Sequence, residues 1–109
     1  MIEATFASDW DPTFGYRSFI RLYSTGYAIE CGIGIEAAEA PAWFDWSHDG
    51  VSRGRYSLGS SGTIAFELFS TSGSVSYLGT ATSDALELSS VSHINGNRTS
   101  RRFGLCVQQ

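Results

Sequence analysis

The chain has 109 residues, enough for one domain spanning residues 1–109 that buries roughly two-thirds of its unfolded surface without a disulfide or metal staple. Seven cations, all arginine, against eleven acidic residues give a net charge of −4, which argues against a phosphate-tracking nucleic-acid binder. Seven Phe, five Tyr, three Trp and twelve Gly tilt the composition toward many short strands joined by tight turns.

In chain order, Ile2–Ser8 alternates Ile2, Ala4 and Phe6 against Glu3, Thr5 and Ala7, as expected of a strand with one apolar face. Asp9-Trp10-Asp11-Pro12 stops it, because proline lacks a ladder donor and aspartate favours turns. Tyr16–Tyr23 and Tyr27–Gly34 flank Ser24-Thr25-Gly26 and read as a hairpin. Both faces of Tyr16–Tyr23 carry bulky groups, so the directions of Arg17 and Arg21 stay open. Residues 36–46 break the pattern. Glu36-Ala37-Ala38-Glu39-Ala40 favours a helix, Pro41 interrupts it, and Trp43, Phe44 and Trp46 crowd together without alternation. A short helical insertion is expected there, closing or gating one end of the fold.

Four strands then follow in a meander, Ser52–Gly59, Thr63–Ser70, Ser74–Thr82 and Asp84–Val91, with small polar residues at each joint. Asn95-Gly96 marks one more turn, and Arg101–Gln108 is the last strand, with Phe103, Leu105 and Val107 in phase. The expected fold is therefore all-β. Eight consecutive antiparallel strands form a sandwich or an up-and-down barrel, and the barrel is preferred because closure removes exposed edges.

The runs from Tyr16 to Ala28, Gly54-Arg55-Tyr56-Ser57-Leu58, Val75-Ser76-Tyr77-Leu78-Gly79 and Leu86-Glu87-Leu88 resemble a group of small lipocalin-like barrels. These occur as stand-alone bacterial proteins and as the C-terminal domain of some F-box proteins. The resemblance implies a calycin-type barrel with its first and last strands paired. It supplies no catalytic motif.

Taking the apolar phase of each strand as inward places Tyr27, Cys31, Tyr56, Tyr77 and Arg101 inside among aliphatic and phenylalanine side chains. Trp43, Trp46, Tyr56, Tyr77 and Arg101 are then the candidate ligand-binding residues, suited to a mostly apolar or carboxylated small molecule. Cys31 and Cys106 fall in opposite phases of their strands, which argues for thiols over a disulfide. Asp45, His48 and Asp49 have the residue types of a metal site, but a solvated turn explains them, and no cofactor or metal is expected. His93 is a candidate for a barrel mouth or a plain turn residue. No run approaches the ~18 apolar residues of a membrane span, and Met1-Ile2-Glu3-Ala4 has no signal-like character, so a cytosolic location is expected.

Three functions fit these residues: a non-enzymatic small-molecule binding module, a shape-catalysis enzyme such as a cyclase or isomerase, and a protein-interaction domain of the inhibitor or immunity kind. The sequence assigns neither an oligomeric state nor a particular ligand.

Overall fold

The computed structural model describes residues 2–8, 17–33, 52–70 and 73–106, without the side chains of Arg17 and residues 31–33. Eight strands run β1 Ala4–Ala7, β2 Arg17–Leu22, β3 Tyr27–Ile33, β4 Ser52–Leu58, β5 Thr63–Ser70, β6 Gly73–Ala81, β7 Ala85–Ser92 and β8 Arg98–Leu105. Each pairs antiparallel with its sequence neighbour, and β1 pairs with β8 through Phe6↔Leu105 and Ala7↔Gly104, so the sheet is a closed up-and-down barrel. The expected fold class stands. The helical insertion expected at residues 36–46 lies outside the described residues.

The turns have local chemical causes. Gly26, at φ 94°, closes the β2–β3 turn by donating to the Tyr23 carbonyl at 2.9 Å. A single 3-10 turn, Ser60–Gly62, joins β4 to β5, where the Thr63 hydroxyl donates to the Ser60 carbonyl at 2.6 Å. Between β6 and β7, Thr82 Oγ1 accepts the Ala85 N–H at 3.1 Å. Between β7 and β8, Asn95 Oδ1 accepts the Asn97 N–H at 3.0 Å, an Asx turn. This turn starts β8 at Arg98, earlier than the expected Arg101, because backbone ladder bonds extend through Arg98, Thr99 and Ser100 without any apolar alternation.

One phase of each strand builds the core. Phe6, Ile20, Leu22, Tyr56, Ile64, Phe66, Leu68, Tyr77, Leu86, Leu88 and Phe103 form one buried cluster, with the Phe66 and Tyr77 rings stacked at 4.7 Å. Burying such side chains contributes about 1.5–3 kcal/mol each relative to leaving them exposed. The wall also bends tightly over two inward glycines. A Cβ built on Gly54 would lie 2.0 Å from the Glu67 carbonyl oxygen, and one on Gly79 would lie 1.9 Å from that of Glu87. Only a residue without a side chain lets the strands approach so closely.

The sequence phase is wrong for β3. Glu30 pairs with core residue Ile20 and Ala28 with Leu22, so Ala28 and Glu30 face inward. Tyr27 and Ile29 face outward, and Tyr27 is 39% exposed with Arg55 over its ring at 5.0 Å. Ile29 and Phe19 lie on the outer wall yet are 2% and 0% exposed. Alternation identifies a buried face, and here part of the outer face of β2 and β3, at Phe19 and Ile29, is buried as well. The inward expectation for Tyr27 is therefore corrected, while the Cys31 side chain, and with it the thiol expectation for the pair, lies outside the described residues.

Arg21, left undirected by the sequence, also lies on the outer wall. It pairs with Glu3, donates to Thr5 Oγ1 at 3.2 Å and lies over the Tyr23 ring. Glu3 also accepts the Ser24 N–H at 2.8 Å, and that bond is the leading cause holding its pKa below the usual carboxylate value.

Candidate functional site

The barrel has two dissimilar ends. The β2–β3, β4–β5 and β6–β7 turns lie at the turn end. At the loop end the chain passes from β1 to β2 and from β3 to β4, and the β5–β6 and β7–β8 turns complete the rim. Toward the turn end the interior is aromatic and aliphatic. From its middle toward the loop end it carries Ser18, Glu30, Tyr77 and Arg101.

Those four side chains come from β2, β3, β6 and β8, brought together only by closure. The Tyr77 hydroxyl donates to Glu30 Oε2 at 2.8 Å, and Arg101 Nη1 donates to Ser18 Oγ at 3.2 Å. Burial pushes the Glu30 carboxyl above its ordinary pKa, while the Tyr77 hydrogen bond and the Arg101 charge act in the opposite direction without prevailing. Glu30 therefore favours its neutral form more than an exposed acid does. Among the described residues the Arg101 guanidinium makes this one hydrogen bond, to Ser18, and no ion pair, so most of its five donors have no described protein partner. A guanidinium fork beside an acid whose neutral form is favoured by burial suits an anionic or strongly accepting group.

The residues singled out in the sequence divide. Tyr77 and Arg101 lie in this cluster, together with a stacked Phe66. The Tyr56 hydroxyl turns the other way: it accepts the Ile2 N–H at 2.9 Å and donates to the Tyr23 carbonyl at 2.7 Å. It is a structural clasp at the turn end. Trp43 and Trp46 lie outside the described residues, as do Asp45, His48 and Asp49. Among the described residues no three His, Cys, Asp or Glu side chains group as metal ligands.

Sequence reasoning missed Glu30 and Ser18. Glu30 had a signal, being the single charge in the β3 run Tyr-Ala-Ile-Glu-Cys-Gly-Ile, but the phase error pointed it outward. Ser18 had none. His93 proves to sit on the outer wall, where Nε2 lies 2.7 Å from Ser76 Oγ and 3.8 Å from Glu67 Oε2. These are the residue types of a hydrolytic triad, but serine and acid meet the same ring nitrogen. In a working triad the acid holds the other nitrogen and thereby sets the tautomer, so this cluster does not fit that chemistry.

A second concavity opens at the turn end. Its volume is about 330 Å³, and it is lined by Ile2, Ala4, Phe6, Leu58, Gly59, Gly62, Ala81, Thr82 and Ser83. No described lining residue is charged.

In comparisons with known proteins, no family model, curated protein or solved structure matches the chain.

Proposed function

We propose that the barrel is a non-enzymatic binding module for a small molecule with an apolar body and a carboxylate head. The head pairs with Arg101, and the body lies against Val75 and the Tyr77 ring at the loop end. The observation that carries this reading is the half-buried Arg101 guanidinium, whose one hydrogen bond among the described residues goes to the neutral Ser18 hydroxyl. A half-buried guanidinium with unused donors is costly to desolvate, and an arriving carboxylate would supply two parallel hydrogen bonds to the fork. The strands that flank residues 34–51 end at Ile33 and begin at Ser52, both at this end. The outer wall carries Arg55, Glu67, Glu87 and Arg102 around a core that is mainly apolar, the reverse of a membrane-spanning barrel. Among the described residues no helix is long and apolar enough to cross a membrane. A calycin-type kinship belongs to the same proposal, supported by the closed eight-strand topology with β1 against β8.

Calorimetric titration with hexanoate and hexanol tests the reading. Hexanoate is expected to bind at least tenfold more tightly, since a charge-assisted bidentate pair exceeds a single neutral hydrogen bond. Equal affinity, or no binding of either, would refute it.

A second reading draws support from the 2.8 Å contact between Tyr77 and Glu30, a donor and acid in line on the inner wall. In a cyclase or isomerase these two groups would relay a proton to a substrate folded by the barrel.

A further inference from the structure

We infer that the concavity at the turn end is a second, separate binding site, for an uncharged apolar molecule or substituent the size of a substituted benzene ring. The inference is independent of the Arg101 reading, because none of Ser18, Glu30, Tyr77 or Arg101 lines this space.

Three features of the site set the ligand class. Its wall is hydrocarbon at Ile2, Ala4, Phe6, Leu58 and Ala81, and its polar members are turn residues at the rim. No charged side chain lines it among the described residues, so an ionic head would lose its hydration with nothing in exchange. Its volume of about 330 Å³ is at the low end of small-molecule pockets, and about twice the roughly 150 Å³ apolar cavity known to take benzene.

The site is also shaped in advance. Tyr56 holds Ile2 by accepting its N–H at 2.9 Å, which fixes Ile2 along one wall. The opposite rim is the 3-10 turn, with Ser61 at φ 63° and Gly62 at φ 80°. Phe6, 1% exposed, is the most deeply buried of the lining residues. A concave space whose walls are held by these turns and hydrogen bonds favours a small rigid molecule over a flat protein surface, and binding there forfeits little loop entropy.

Toluene is the test probe, followed by amide NMR on the full chain. It is expected to shift the amides of Ala4, Leu58, Gly62 and Ala81 saturably, and to do so equally in Arg101→Met. Ala81→Leu, which fills the space from one wall, should weaken toluene binding at least tenfold. Ala4→Leu, from the other wall, should do the same, so that one variant reports if the other fails to fold. Toluene that leaves those amides unmoved, or binds both folded variants as it binds the parent, overturns the inference. So does a concentration-dependent shift of the same amides without toluene, which would make the site a contact between copies of the chain.

Discussion

The Tyr77 hydroxyl and the Glu30 carboxylate meet at 2.8 Å, linking β6 to β3 across the barrel interior although those strands share no ladder. The contact places an acid where hydrocarbon would otherwise pack, and it carries the clearest pH signature in the molecule. Folding raises the Glu30 pKa, so the folded chain holds a proton at pH values where the unfolded chain has released it. Stability from this group is therefore full below the unfolded value of 4.5 and declines as pH rises through the folded value. Glu30→Gln keeps an acceptor for Tyr77 and removes the buried charge. It should melt higher than the parent at pH 8 and show no such decline; a variant less stable than the parent at pH 8 would contradict this.

Glu3 should act with the opposite sign. Its pKa is lowered by the Ser24 N–H and Arg21, so its contribution is present above pH 4.5 and is lost as pH falls through the folded value. Melting curves of Glu3→Gln between pH 3 and 6 should converge on those of the parent toward the acid end. Because the group is exposed, the effect should also shrink in salt.

The two glycine crossings give a sharper mutational prediction. Gly54→Ala drives a methyl group into the Glu67 carbonyl, a backbone atom that cannot move aside, and should cost about 3 kcal/mol. Gly96→Ala, where an added Cβ meets nothing within 4 Å but φ is 76°, should cost only about 1 kcal/mol, the conformational penalty alone. Equal costs in chemical denaturation would mean that the crossing is looser than described.

Within the core, Phe103→Ala should cost about 3–5 kcal/mol, since the ring is 1% exposed in the main cluster. Tyr56→Phe keeps the ring and loses its hydroxyl, leaving the Ile2 N–H without that acceptor, for about 1–2 kcal/mol. Urea unfolding of both variants measures the difference, and a larger loss for Tyr56→Phe would reverse the assignment of ring and clasp.

Most strands were legible because their turns are written in Gly, Ser, Thr and Asn, and because Ile64, Phe66 and Leu68 alternate against polar residues. The inner wall was less legible. Periodicity reports that a face is buried, but β3 buries Ile29 on the outside and Ala28 on the inside, so its inner acid was assigned to the wrong side. Tyr77 and Arg101 were found because their strands bury one face only. Their partners Glu30 and Ser18 were not: the β3 phase turned Glu30 outward, and bringing β2, β3, β6 and β8 to one point depends on the register around the whole barrel, which no local pattern encodes.

In the proposed site Arg101 is the anchor for a carboxylate. Its guanidinium Nε–H resonance, followed by NMR as hexanoate is added, reads that claim at the atom concerned. A saturable shift of this resonance, absent with hexanol and accompanied by shifts at Ser18, Glu30 and Tyr77, is the expected result. An Arg101 resonance that stays still while hexanoate binds elsewhere, or binding that survives Arg101→Met at full strength, would contradict it.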